Sequence, residues 1–327
     1  MRTCIYISIA LLFFSCSKSE LNSSIGEAQH RVSGKLFEYS ILPSTTNSKI
    51  ILYNNAHYVA LDTRVAARNK LFVFLPGTSG FPSAYKLIVK KAASLGYHSI
   101  GLMYPNGSEL YVASGTNPDN LEFGRCRKEI FDGSNQTLAV SVDTNNCIRG
   151  RLLRLLQHLS KTYPTQNWGQ YLVNGNVNWA NVAIAGHSQG GGHAWYISKQ
   201  VAVDRSLSFA SIDWNSNLGK SAAWVFDAGQ TSVSKLYSFI SPKDQVFNYV
   251  NVQTQLNDIS LPGTAVNIDN NSIPYGNTRR LITTATPALS LAVPDHNLTC
   301  LDAYVPKTST GAVAPAFDNA WKYLLTN

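Results

Sequence analysis

Charge is scarce in this chain. Only 14% of its 327 residues are Asp, Glu, Lys or Arg, where about a quarter is usual. Asn, Ser, Thr and Tyr carry the polar surface instead. The balance is basic, +8, yet no run of cations and no interleaving of cations with aromatics stands out. That argues against a nucleic-acid binder and for a mildly basic exported protein. The usual metal motifs are also missing. There is no HExxH, no close histidine pair backed by acids and no CxxC, so no metal is expected. The run Gly190–Gly192 is followed by neither Lys-Ser nor Lys-Thr. It is therefore not a phosphate loop, and no cofactor is implied. Internal repeats, low-complexity tracts and domain linkers are absent too.

What is present begins with an export segment. MRTCIYISIALLFFSCSKSE opens with Arg2, continues with an apolar run from Ile5 to Phe14 and ends in small residues. The run is too short for a stable membrane span and reads as a signal peptide over residues 1–16. Leu12-Phe13-Phe14-Ser15-Cys16 resembles the lipobox of bacterial lipoproteins, with Phe13 where leucine is usual. The resemblance implies acylation of Cys16, membrane attachment and an outer-membrane or cell-surface location. Ordinary cleavage nearby, giving a soluble periplasmic or secreted protein, is the alternative. Residues 17–32 read as a polar tether and 33–327 as one domain. In an oxidising compartment Cys126 and Cys147 are expected to pair. Their bridge would close a loop of about 20 residues, worth roughly 3 kcal/mol. Cys300 is then left over, and pairings that involve it instead stay open.

Along the domain, Gly34–Pro43 and Lys49–Leu61 read as an antiparallel opening. Lys70–Leu75 is a short apolar run that suits a buried strand feeding Pro76-Gly77-Thr78-Ser79-Gly80. Phe81–Gly96 has helical spacing, and Ser99–Met103 is the next strand. Residues 104–147 show no strong period and read as a long insertion. Ile148–Tyr163 is an amphipathic helix. Strands follow at Ser206–Ile212, Lys235–Ile240 and Arg280–Thr284, and helices at Val246–Leu256 and Pro315–Leu325. Strand alternating with helix predicts a doubly wound, mostly parallel α/β sheet with helices on both faces.

The chain is organised around Asn181–Gln200, NVAIAGHSQGGGHAWYISKQ. Val182–Ala185 suits a buried strand and His193–Gln200 a helix. Between them, Gly186-His187-Ser188-Gln189-Gly190 fits G-x-S-x-G. A serine at the tip of a strand-to-helix turn has its hydroxyl pushed out above the sheet, and side chains two residues either side would collide. Gly186 and Gly190 meet that need. Gly191 and Gly192 predict close backbone approach, since glycine in a helix costs about 1 kcal/mol against alanine.

These features together resemble the α/β-hydrolase superfamily over nearly the whole mature chain. The residues that carry the resemblance are Leu75-Pro76-Gly77-Thr78, Gly186–Gly190, Asp244 after a late strand and His296 near the end. Arg125-Cys126-Arg127 and Asp213-Trp214 have the flavour of an exported bacterial serine esterase-like branch. The superfamily order is nucleophile, acid, histidine. Only His193 and His296 follow Ser188, and His193, in the elbow helix, cannot swing back over the serine. His296 is then the expected general base. No glutamate separates Ser188 from His296, so the acid is an aspartate. Asp244 is favoured and Asp213 is the alternative; Asp295 adjoins the histidine too closely to serve it. The backbone N–H groups of Thr78 and Gln189 are the expected oxyanion-hole donors. The resemblance implies a carboxylic-ester hydrolase working through an acyl-serine on a small or polymer-borne ester. A catalytically silent binding protein, an amidase, a thioesterase and a polyester hydrolase are the alternatives.

Overall fold

The computed structural model describes residues 31–33 and 36–327. The expected signal segment and Cys16 lie outside the described residues, as does the tether up to residue 30. Arg31 and Val32, assigned to that tether, belong instead to the first strand.

The strands are β1 (Arg31–Ser33), β2 (Leu36–Ile41), β3 (His57–Asp62), β4 (Leu71–Leu75), β5 (His98–Gly101), β6 (Leu172–Val173), β7 (Asn176–Val177), β8 (Val182–His187), β9 (Arg205–Phe209), β10 (Trp214–Asn215), β11 (Lys220–Ser221), β12 (Leu236–Ile240), β13 (Val266–Asn267) and β14 (Arg280–Ile282). The helices are α1 (Pro43–Thr46), α2 (Lys86–Ser94), α3 (Glu109–Ser114), α4 (Glu122–Asp132), α5 (Ile148–Thr162), α6 (Gln189–Gln200), α7 (Tyr249–Asp258), α8 (Pro294–Asn297) and α9 (Pro315–Thr326). Ten strands form one sheet in the order β1-β2-β3-β5-β4-β8-β9-β12-β14-β13. β1, β2 and β3 pair antiparallel, and β3 is antiparallel to β5. From β5 to β13 every pairing is parallel. The doubly wound, mostly parallel α/β sheet expected from the alternation of strand and helix is the one the chain adopts.

Side chains alternating along each central strand divide the core between the two faces, as a period of two requires. In β4, Leu71, Val73 and Leu75 join one cluster, which also holds Leu152 and Leu155 of α5 and Trp195 of α6. Phe72 and Phe74 join the other, which holds Ile88 and Val89 of α2 and Trp321 and Leu324 of α9. A strand buried on both faces has no polar side to show. This is why Leu71–Leu75 reads as an unbroken apolar run.

From β4 the chain steps to β5 on one side and later returns to β8 on the other. The interval between the carboxyl ends of β4 and β8 is therefore a topological switch point, where open α/β sheets leave a crevice. The Pro76–Gly80 loop leaves from one side and Ser188 from the other.

Three local expectations are corrected. The insertion is not irregular, because it holds α3 and α4. The helix expected from Val246 starts at Tyr249, since Asp244 Oδ1 takes the N–H groups of Val246 (2.7 Å) and Phe247 (3.0 Å) and Asn248 caps the helix through Val250 N–H. The Cys126–Cys147 bridge is not formed, and both thiols are free and buried. Cys126, in α4, lies against Ser114 and Glu122. Cys147 is the N-cap of α5 and accepts from Gly150 N–H at 3.3 Å. Each sulfur is committed locally, so neither faces the other.

Candidate active site

Ser188 stands between β8 and α6 with φ 52° and ψ −119°. A non-glycine residue in so sparsely populated a region carries about 1–3 kcal/mol of strain. The neighbouring glycines make the bend feasible. A Cβ on Gly186 would run into the backbone of Gly190, and one on Gly190 into the carbonyl of Leu75. Gly191 lies against Ser211 and Ser208, and Gly192 against the Arg127 guanidinium. The triple glycine thus serves close approach, partly to a charged side chain that the sequence pattern did not reveal.

His296 comes from α8, and its Nδ1 lies 2.8 Å from Asp244 Oδ2. The Asp244 side chain is fully buried. With Oδ1 held by two backbone N–H groups, Oδ2 can turn only toward the ring. Gln245 grips the same histidine from behind, its Oε1 accepting from the N–H groups of Asp295 (3.1 Å) and His296 (3.2 Å). Asp295 itself accepts from Gln245 Nε2 at 2.8 Å and makes no contact with the imidazole among its hydrogen bonds. Phe247 closes one side of the ring, with centroids 5.4 Å apart.

Asp213 is occupied elsewhere. It forms a fully buried bidentate ion pair with Arg127, at 2.6 Å from Nε and 2.5 Å from Nη2. Trp224 Nε1 adds a third bond at 2.8 Å. Burial opposes the charge on Arg127, but the Asp213 carboxylate overrides it and holds the guanidinium more firmly protonated than usual. Arg127 Nη1 also donates to the Gln189 carbonyl at 2.8 Å, so the pair ties α4 to the start of α6.

The expected oxyanion donors come from the two sides of the switch point. The Gln189 N–H is in the first turn of α6, where no intrahelical acceptor exists. In the β4 loop, Gly77 N–H is already engaged by the Tyr85 hydroxyl at 3.2 Å, and Ser79 N–H by the Asn106 carbonyl at 2.9 Å. Thr78 N–H, between them, donates to no backbone or side-chain acceptor among the described residues. The two residues meet through their side chains, Thr78 Oγ1 donating to Gln189 Oε1 at 2.9 Å. Asn106 was missed in the sequence. Its Nδ2 donates to the carbonyls of Gly77 (2.7 Å) and Gly80 (2.9 Å) and holds the loop in shape. The one signal for it was its place in Pro105-Asn106-Gly107, just beyond β5.

Ser188 and His296 are both buried, at 8% and 5% exposure. No hydrogen bond joins Ser188 Oγ to the His296 ring. The two residues are linked through His187, whose ring centroid is 4.8 Å from that of His296. A cleft of about 440 Å³ is lined largely by the insertion, including Leu110, Ile130, Leu138 and Val140. It lies beyond Gly107, and Ser188, Asp244 and His296 are not among its walls. No group of three or more His, Cys, Asp or Glu that could hold a metal occurs among the described residues.

No family model matches this sequence, and no curated protein matches it. Several solved structures are similar at low identity. A dienelactone hydrolase-like promiscuous phosphotriesterase from metagenomic libraries is 11% identical, with a TM-score of 0.40, over 89% of this chain and 98% of that one. An alpha-beta serine hydrolase homologue from Coxiella burnetii is 11% identical, with a TM-score of 0.36, over 81% and 90%. The acetyl xylan esterase of Paenibacillus sp. R4 is 11% identical, with a TM-score of 0.34, over 72% and 79%.

Proposed function

We propose that this chain, an α/β hydrolase by fold, is a serine hydrolase that cleaves carboxylic esters through an acyl-serine intermediate. The observation that carries the reading is the Asp244–His296 pair, packed against the residue that precedes a strained serine at the sheet's switch point. His296 Nε2 takes the Ser188 proton as Oγ attacks the ester carbonyl. The N–H groups of Thr78 and Gln189 receive the oxyanion, and each such donor contributes roughly 3 kcal/mol. His296 then returns the proton to the departing alkoxide. Water, deprotonated by the same ring, splits the acyl-serine. Asp244 holds the Nδ1–H tautomer and stabilises the imidazolium.

A fluorophosphonate probe should label the wild type and leave Ser188→Ala unlabelled. Equal labelling of both would end the reading. Turnover of short p-nitrophenyl esters separates the enzyme from a silent hydrolase-fold binder. Parallel assays on anilides and thioesters separate esterase from amidase and thioesterase. We further infer that the enzyme meets its substrate outside the cytoplasm, anchored through acylated Cys16. Incorporation of a labelled fatty acid that is lost in Cys16→Ser is the expected result, and no incorporation into the wild type would refute the anchor.

A further inference from the structure

We propose that His187, the residue immediately before the serine, is a positioning residue that fixes the backbone of His296 against the loop bearing Thr78. This rests on the proposed roles of Ser188 and His296. His187 Nε2 lies 3.0 Å from the His296 carbonyl, which can only accept, so Nε2 carries a proton. In a neutral ring Nδ1 is then an acceptor. The Tyr85 hydroxyl, 3.0 Å away, donates to it. That hydroxyl in turn accepts from Gly77 N–H at 3.2 Å. One directed chain therefore runs from Gly77 through Tyr85 and His187 to His296.

Its two ends matter. At one, it takes Gly77 N–H out of use and leaves Thr78 N–H as the free donor of the loop. At the other, it completes a clamp on His296. Asp244 holds the ring at Nδ1, Gln245 holds the backbone N–H, and His187 holds the backbone carbonyl. Because His187 shares a peptide bond with Ser188, the clamp references the imidazole to the serine itself. The space is made for it, since a Cβ on Gly77 would sit 2.9 Å from His187 Nδ1. Burial, with a smaller contribution from His296, pushes the His187 ring down to about 3. It stays neutral and does not oppose a charge forming on His296.

The test compares two polar replacements of similar size. In His187→Gln the side-chain amide nitrogen can reach the place of Nε2 and donate to the His296 carbonyl. In His187→Asn it cannot. With p-nitrophenyl acetate, His187→Asn should lower kcat about 10–100-fold, with KM within about threefold of wild type. His187→Gln should restore kcat to within about fivefold of wild type. Equal kcat in the two variants, high or low, overturns the proposal, as does a change confined to KM. Thermal unfolding of each variant verifies that it is folded at the assay temperature. If His187→Asn does not fold, Tyr85→Phe replaces it, and an unchanged kcat there overturns the chain. Fluorophosphonate labelling of the wild type is the control. If it fails, the serine reading has failed first and this inference falls with it; if it succeeds, the His187 result stands alone.

Discussion

Asp244 and Asp213 are two buried carboxylates beyond neighbouring strands, and replacing them should damage different properties. Asp244→Asn keeps the shape but loses the charge that fixes the His296 tautomer. A fall in kcat on the order of 10⁴-fold is expected, with little change in unfolding midpoint. Asp213→Ala leaves the Arg127 guanidinium buried without its partner, and a loss of about 3–5 kcal/mol of stability is expected from denaturant unfolding. The reverse pattern would exchange their roles. The contact of Asp244 with His296 is one the sequence order and strand position anticipate. The His187–Tyr85 contact is not, because it joins residues 102 positions apart and no local pattern records it.

Among the elements, the elbow was the most legible, because its demands on residue size are satisfied within five positions. α4 was the least. It buries Glu122, Phe123, Cys126, Arg127, Glu129, Ile130 and Phe131, a helical spacing interrupted by three charged side chains, Arg127 among them. The stripe therefore reads as broken. It makes sense only with Asp213, 86 positions away. The cysteines misled for a related reason, since compartment chemistry says that thiols can pair but not where each sulfur sits. Cys126, Cys147 and Cys300 are all free and buried. The folded protein from which residues 1–16 are removed should resist a thiol reagent and then react at three sites per chain on unfolding. Its unfolding temperature should not move on adding a reductant. A downward shift under reducing conditions would restore the bridge.

For the whole molecule, acid should be the weak point. Burial pushes His57 and His187 down to about 3 and His193 well below its usual value. The folded form refuses protons that the unfolded chain accepts below about pH 6.5. Stability from these groups is thus complete above that pH and drains away as pH falls toward 3. Between pH 7 and pH 5, His57 and His187 should each cost roughly 2 kcal/mol. Asp302 works the other way, because burial raises its carboxyl to about 6 and the fold gains as that group protonates. It is one group against five, since burial also lowers His98 and His158. Urea midpoints measured across that range should fall with acidity, and a flat profile would contradict the burial of these rings.

Arg127 reaches out of the insertion to hold both Asp213 and the Gln189 carbonyl, with Gly192 leaving room for it. The segment is thus not a detachable cassette laid over a finished α/β sheet. Anyone transplanting it, or trimming it to widen access, must carry the arginine, its aspartate and that bare glycine as one hereditary unit.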